Sequence, residues 1–292
     1  MMKFDSEFLK KLEYLSLVSK RVFHGQLLAR RRTRRLGCGV EFADHRDYAL
    51  GDDLRYLDWN VYARFGSRFI KRFEEEEDLH VYFFLDCSQS MTVGEPSKFD
   101  YARQLAAALA YIALADLDRI SVVPFADRIY DVFPPTRGKQ HVLSLLRYLE
   151  QFETVAAPTN LIDCVQEFIH RRQRSGLAVI LSDLFDPAGF QKAVDLLRYR
   201  QYEPNLIQIH DLSEADPPFR GDLQLVDVET ATIRDVTISE SVLRQYKAAF
   251  AEFLDSVKRY CIGNGLGGTI ARTEIPFDEL ILNMMKRSGT VT

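Results

Sequence analysis

The sequence predicts an α/β protein: a doubly wound, mostly parallel sheet with helices on both faces, accompanied by a small N-terminal helix and loop-rich segment. Three observations carry this expectation. Short continuous apolar runs, at 80–85 and 177–181, have the length and character of strands buried on both faces, which is where parallel strands sit. They alternate with longer stretches of helical periodicity, the pattern of parallel strands joined by helical crossovers. The first 79 residues differ in kind, with Asp, Arg and aromatic residues crowded into 41–78 and little periodicity there. The expected division is 1–79 for the N-terminal helix and the Asp/Arg/aromatic-rich segment, and 80–292 for the α/β domain.

Each element has its own signal. A helix is expected from residue 4 to about 35, because Phe8, Leu9, Leu12, Leu15 and Leu17 recur near helical spacing and Lys and Arg collect toward its end. Glycines within 36–40 close it. A loop-rich subdomain follows and ends in a strand near 69–73, with Trp59, the only tryptophan, expected in its core. Its charges (Glu41, Asp44, Arg46, Asp52, Asp53, Arg55, Asp58 and Arg64) are expected to pair among themselves, a docking face being the alternative. After the buried strand at 80–85 come a long helix at 97–117, strands at 120–125 and 129–133 across a tight turn, and helices at 139–152 and 161–174. The buried strand 177–181, a helix at 188–200 and a strand at 205–210 continue the alternation. Alternating polarity on both sides of 229–231 predicts a hairpin over 223–238. A helix at 240–260, a glycine-rich turn, a short strand near 269–271 and a helix at 277–286 complete the chain.

The 292 residues are 47% hydrophobic and 27% charged, enough apolar material to bury a substantial core. A formal net charge of -4 gives no global attraction to nucleic acid or anionic lipid. Two runs stand out, a basic one at Arg30, Arg31, Arg32, Arg34 and Arg35 and an acidic one at 74–78, and solvated surface is the default reading of both. The longest apolar stretch, 105–117, is too short to span a bilayer, and the N-terminus has no secretory h-region. Four dispersed cysteines (Cys38, Cys87, Cys164, Cys261) form no C-x-x-C pair and fit a reducing compartment, so a cytoplasmic protein is expected.

Function is sought where an α/β sheet presents ligands, at the carboxyl ends of its strands near the point where strand order reverses. The first buried strand ends in Asp86-Cys87-Ser88-Gln89-Ser90, and the run at 177–181 ends in Ser182-Asp183. If the first loop curls, Asp86, Ser88 and Ser90 converge as one carboxylate and two hydroxyls. Hard oxygen donors suit Mg²⁺, Mn²⁺ or Ca²⁺ rather than zinc or copper. Thr159, just before a helix, offers another hydroxyl, and Asp183 a second carboxylate, directly or through water. The plain alternative is that Ser88 and Ser90 only cap the following turn.

The segment Phe84-Leu85-Asp86-Cys87-Ser88-Gln89-Ser90-Met91 resembles the metal-ion-dependent adhesion site of von Willebrand factor A-type domains. Pro158-Thr159-Asn160-Leu161 resembles that family's threonine loop, and Leu181-Ser182-Asp183 its second aspartate. The resemblance implies a von Willebrand factor A-like fold and a metal with one open position that an acidic residue of a protein partner fills. Residues 39–76, with Gly39-Val40-Glu41-Phe42, Asp44, Arg46, Tyr48, Gly51-Asp52-Asp53, Arg55, Asp58-Trp59-Asn60, Arg64, Lys71, Phe73-Glu74 and Glu76, resemble the bacterial domain-of-unknown-function 58 family. That likeness extends to Thr273, Pro276-Phe277-Asp278-Glu279-Leu280. It implies a partner of the MoxR-type AAA+ ATPase class in a chaperone-like or assembly role.

An enzyme is not expected. An aspartyl-phosphate chemistry at Asp86 would need a second Asp at the position of Ser88. No histidine lies in a recognisable motif with Ser88, Cys87 has no local activator, and no phosphate-binding G-x-x-x-x-G-K-[ST] loop occurs. A single-metal hydrolase of phosphatase or nuclease type is the enzymatic alternative, although hydroxyl ligands activate water poorly. A nucleic-acid binder would need an aromatic-basic platform that the sequence does not offer.

Overall fold

The computed structural model describes residues 4–23, 36–37, 41–74, 79–226 and 233–289. The arginine run at 30–35, Cys38, residues 75–78 and the turn expected at 229–231 lie outside them. The chain forms two compact units, one of Met1–Arg21 with Leu79–Thr292 and one of Val22–Asp78.

The first helix, α1 (Ser6–Phe23), belongs with the α/β unit over nearly all its length, whereas the expected division grouped it with 41–78. The reason is its apolar stripe. Leu12 and Leu15 are fully buried, and the Phe8 ring centroid lies 4.9 Å from that of Phe277 near the chain's other end. Lys11 reaches Asp278 at 3.5 Å, and the Phe4 amide donates to Glu150 at 2.8 Å.

The unit at 22–78 is more regular than its sequence suggests. Strands β1 (Leu36–Gly37), β2 (Glu41–Asp47) and β3 (Phe69–Glu74) form an antiparallel sheet in the order β1-β3-β2. Helix α2 (Trp59–Phe65) is capped by Asp58, which accepts from the Asn60 and Val61 amides, and ends on left-handed Gly66. The helical signal is weak because this single short helix leaves its aromatics outside: Trp59, expected in the core, is 60% exposed. Part of the expected internal pairing is present, with Arg46 on Asp52 and Arg55 on Asp53, while Asp58 pairs outside the expected set, with Lys71 and His45. The His45 hydrogen bond, with the two helix amides, holds the Asp58 carboxyl down at about 2.

The α/β unit is built on six strands: β4 (His80–Asp86), β5 (Arg119–Phe125), β6 (Phe133–Arg137), β7 (Leu177–Ser182), β8 (Glu203–His210) and β11 (Gly267–Arg272). Their order is β11-β8-β7-β4-β5-β6, parallel except for the edge strand β6. The edge strand starts at Phe133, where the sequence expectation had it end, and carries Pro134 and Pro135. Proline lacks a ladder donor and is tolerated at an edge. Inserted between β8 and β11 is the predicted hairpin, β9 (Gly221–Val226) against β10 (Ile233–Ile238).

The covering helices are α3 (Lys98–Ala115), α4 (Val142–Gln151), α5 (Leu161–His170), α6 (Gln191–Tyr199), the single turn α7 (Leu212–Ala215), α8 (Glu240–Gly263) and α9 (Phe277–Gly289). One face of the sheet packs Tyr82, Phe84, Val123, Ile180 and Leu206 against Val165 and Phe168 of α5, Val194 and Leu197 of α6, and Val257 of α8. Helix α3 lies along β4 and β5, and its run of alanines and leucines is buried almost all round, as a helix packed on several sides requires. Among the described residues no helix is long and apolar enough to cross a membrane.

The chain runs from β4 outward to β5 and β6, then returns to the opposite side of β4 for β7. Strand order therefore reverses at β4, and the crevice beyond the carboxyl ends of β4 and β7 is where this fold offers a site. Because α1 docks on the α/β unit, Leu12→Ala is expected to cost about 2–4 kcal/mol of that unit's stability. Urea denaturation followed by near-ultraviolet circular dichroism measures this, and a change below about 0.5 kcal/mol would detach the helix from the core.

Candidate metal centre

Strand register brings two carboxylates together. Leu85 pairs with Leu181 in the parallel ladder, so Asp86 at the end of β4 neighbours Ser182 at the end of β7, and Asp183 follows directly. Asp86, Ser88 and Asp183 are fully buried, Thr159 nearly so, and Ser90 half-buried.

The Asp86 carboxylate is held from two sides. Its Oδ1 accepts from the Ser88 amide at 3.0 Å, and its Oδ2 from the Ser182 hydroxyl at 2.5 Å. The Ser88 and Ser90 hydroxyls are 3.1 Å apart, so the first loop curls as its alternating polar residues require. A short 3-10 turn, Gln89–Thr92, follows, and Ser88 precedes it without making a side-chain cap hydrogen bond. Burial, reinforced by the charge of Asp183, pushes the Asp86 carboxyl up to about 7, against the opposing hydrogen bonds from Ser182 and Ser88.

Thr159 reaches this corner through backbone pairing. The Val155 amide donates to the Cys87 carbonyl at 2.7 Å, and the Gln89 amide to the Ala157 carbonyl at 3.2 Å, which lays the 155–159 segment along the first loop. Asn160 caps α5 just beyond it. The Thr159 hydroxyl oxygen is buried and has no hydrogen-bond partner. Buried hydroxyls are nearly always satisfied, so an orphan one marks a group waiting for a ligand or a strain the fold tolerates.

Asp183 is more heavily engaged than a reading of the sequence alone allows. Its Oδ1 accepts from the Phe185 amide at 3.1 Å, and its Oδ2 from the Lys98 ammonium at 2.7 Å. Leu184 between them sits in the left-handed region at φ 62. That conformation costs a non-glycine residue roughly 1–2 kcal/mol, and here it aims both the Phe185 amide at Asp183 and the Leu184 amide at the Ser182 hydroxyl.

Lys98 is the residue that sequence reasoning missed. It is fully buried in the first turn of α3, and besides Asp183 it bonds Glu214 Oε1 at 2.5 Å. Its ammonium also stands 5.6 Å from the centroid of the Phe185 ring. Burial alone would lower the ammonium's pKa, but Asp183 and Glu214 outweigh it and the net direction is upward, so the lysine stays charged. Glu214 is placed by a capping box, in which Asp211 accepts from the Ser213 amide and Glu214 reaches back to the Asp211 amide. Gly94, at φ +98, lets the loop after Ser90 pass so close to Asp211 that an added Cβ would lie 2.7 Å from its carboxylate. The capping box was legible as Asp211-Leu212-Ser213-Glu214; the long-range partnership with Lys98 had no local signal.

The residues brought together are thus the carboxylates of Asp86, Asp183 and Glu214, the hydroxyls of Ser88, Ser90 and Ser182 with the 155–159 segment that carries Thr159 alongside, and the buried ammonium of Lys98. Among the described residues no group of three or more His, Cys, Asp or Glu side chains could hold a metal, so a metal here would have to draw on hydroxyls. All five expected ligands offer hard oxygen, suited to Mg²⁺, Mn²⁺ or Ca²⁺. Cys87 offers no thiolate: burial raises its thiol well above the ordinary range, and its Sγ lies 3.1 Å from the Phe125 carbonyl oxygen.

The family described as "Protein of unknown function DUF58" matches residues 44–253 of this chain. Two uncharacterized mycobacterial proteins, Mb1516 of Mycobacterium bovis and Rv1480 of Mycobacterium tuberculosis, are each 25% identical to it over 274 residues, spanning 92% of this chain and 86% of theirs. Among solved structures, the conserved hypothetical protein BatB from Bacteroides thetaiotaomicron is 15% identical at a TM-score of 0.42, covering 71% of this chain and 99% of its own. Proximal thread matrix protein 1 from the mussel byssus, in a structure with a zinc-occupied MIDAS motif, is 13% identical at a TM-score of 0.41, covering 73% of this chain and 46% of its own.

Two hydroxyls of this pocket should respond oppositely to removal when chelator is present. Ser182→Ala strips a donor from a buried carboxylate and is expected to cost about 1–3 kcal/mol, whereas Thr159→Val removes only an unpartnered oxygen and is expected to be neutral or stabilising by up to about 1 kcal/mol. Equal losses in chemical denaturation would mean that Thr159 has a partner after all. The raised Asp86 carboxyl also fixes a pH dependence. Between the ordinary carboxylate value of about 4 and the folded value of about 7, the folded chain holds a proton that the unfolded chain has lost. The Asp86 contribution to stability in chelator is therefore greatest at the acid end of that window and falls as pH rises through it, while His210, held down to about 4 by burial, contributes in the opposite sense over most of the same range. Asp86→Asn should leave only the opposing part, so that stability relative to wild type rises with pH across the window.

Proposed function

We propose that this chain, which belongs to the DUF58 family, is a metal-dependent protein-interaction module that grips an acidic residue of a partner. Asp86, Ser88, Ser90 and Thr159 would hold a Mg²⁺ or Mn²⁺ ion of the metal-ion-dependent adhesion type, with Asp183 contributing directly or through water. The observation that carries the reading is the orphaned Thr159 hydroxyl, buried beside a loop whose carboxylate and hydroxyls are all hard donors. An ion held there supplies an electron-poor centre for an incoming carboxylate.

The surrounding residues favour binding over turnover. The Ser88 hydroxyl is paired with that of Ser90, and the carboxylate beside it, Asp86, is the one the proposed ion would occupy. Lys98 is held between two carboxylates rather than free to accept a proton. His210, the buried histidine at the end of β8, is pushed down to about 4 by burial, helped by Arg272 and Lys98, and bonds to Gln208. These features support a non-enzymatic role, with a single-metal hydrolase as the reading they oppose. For the partner we propose a MoxR-type AAA+ ATPase presenting an Asp or Glu, on the strength of the family resemblance at 39–76.

The test is capture of an acidic peptide and of the purified ATPase by the immobilised chain in Mg²⁺ and in EDTA, alongside calorimetry of Mg²⁺ and Mn²⁺. Metal-dependent capture, lost together with metal binding in Asp86→Ala, is the expected result. Capture that is equal in EDTA refutes the metal-bridged grip. Phosphatase or nuclease turnover that Asp86→Ala abolishes would reassign the chain as an enzyme.

A further inference from the structure

The buried charges at this corner do not balance, and the imbalance has a definite size. Asp86 and Asp183 are fully buried, and the Glu214 side chain is only 16% exposed. Among the described residues the ion pairs to these three carboxylates come from one ammonium, that of Lys98, itself fully buried and bonded to two of them. Asp211, the next carboxylate along, is satisfied locally by Ser213 and Thr273 and forms no bond to Lys98. The cluster is therefore two charges short of neutrality when all its carboxylates are ionised. Buried charge left uncompensated is costly, and the interior strengthens every interaction that cancels it.

We infer that Lys98 is a tethered counter-cation and Glu214 its balancing carboxylate, and that the pair sets the pocket's charge deficit at the two units one divalent ion supplies. The inference rests on the proposed metal site and deepens it. Lys98 takes one Asp183 oxygen and places a positive charge in the wall of the pocket, so it weakens metal affinity while leaving a bound ion less neutralised and more attractive to a partner's carboxylate. Glu214 works in the opposite sense by sharing the ammonium. Lys98 thus sets the balance of affinity between ion and acidic ligand without being a ligand itself. A lysine that only pinned Asp183 in place would act the other way, because its removal would misplace a ligand and weaken binding.

Four full-length chains separate these outcomes: wild type, Lys98→Met, Glu214→Gln and the double variant. Isothermal titration with Mg²⁺ and with Mn²⁺, at one ionic strength, reads the dissociation constants. Lys98→Met is expected to bind metal about tenfold more tightly or better, Glu214→Gln about tenfold more weakly, and the double variant, with its deficit restored to two, within about threefold of wild type. Acidic-peptide capture at saturating Mg²⁺ should fall in Lys98→Met. Thermal melts provide a second readout. Adding Mg²⁺ should raise the melting temperature of Lys98→Met more than that of wild type, and the double variant keeps the test alive if the single one does not fold in chelator. Tighter metal binding in Lys98→Met, reversed in the double variant, establishes the balance. Weaker or unchanged binding in Lys98→Met, or a double variant that fails to return, overturns it while leaving the metal site standing. No binding by the wild type refutes the metal site itself and the inference with it.

Discussion

Two carboxylates forced side by side in a dry corner govern this end of the molecule. Asp86 and Asp183 sit at the carboxyl ends of adjacent parallel strands because Leu85 and Leu181 share a register, and a one-residue slip of either strand would send every side chain to the opposite face of the sheet and unpack both. Like charges so placed repel, and burial removes the water that would screen them. The local structure answers that repulsion atom by atom. Ser182 and the Ser88 amide hold Asp86, while the Phe185 amide and Lys98 hold Asp183. Even the left-handed backbone at Leu184 follows, since it directs two successive amides back at this pair of strand ends.

The second tier is longer in range. Lys98 comes from the first turn of α3 and Glu214 from the turn after β8, so the ion pairs tie the helix over β4 to the end of β7 and to the turn beyond β8, two strands away. Removing one member of a buried ionic group typically costs about 3–5 kcal/mol, because the remaining charge is stranded. Gly94 permits the close passage that brings the loop after the first turn against Asp211, whose capping box in turn sets the direction of Glu214. The side chains here are already held by hydrogen bonds without a ligand, an arrangement that lowers the ordering cost association must offset.

How much of this was legible depends on the range of the interaction. The α/β class and nearly every strand and helix of residues 80–289 followed from apolar runs and their alternation, because those signals are local. Asp86, Ser88, Ser90 and Asp183 were singled out by looking just past the strand ends, a rule of topology rather than of sequence, and Thr159 by its place just before a helix and by the family resemblance. What failed was non-local or atypical. Docking of α1 against Phe277 joins residues at opposite ends of the chain. The unit at 22–78 is a real sheet and helix whose strands carry charge on both sides and whose tryptophan points outward, so neither period two nor period 3.6 stood clear. Lys98 has no local signal in the sequence, and only the fold shows it buried between Asp183 and Glu214.

The chemistry of the corner gains coherence when the hydroxyls and the lysine are considered together. Ser88, Ser90 and Thr159 are neutral donors, so on the proposed reading they leave a bound ion's charge almost entirely to Asp86 and Asp183. One of those two already shares its charge with Lys98. A site assembled this way gives up affinity for its ion and keeps positive potential available to whatever approaches from outside, the reverse of a carboxylate-rich cage that neutralises its ion and repels anions. On that reading the buried lysine would shift the pocket from holding a metal toward using one to hold something else.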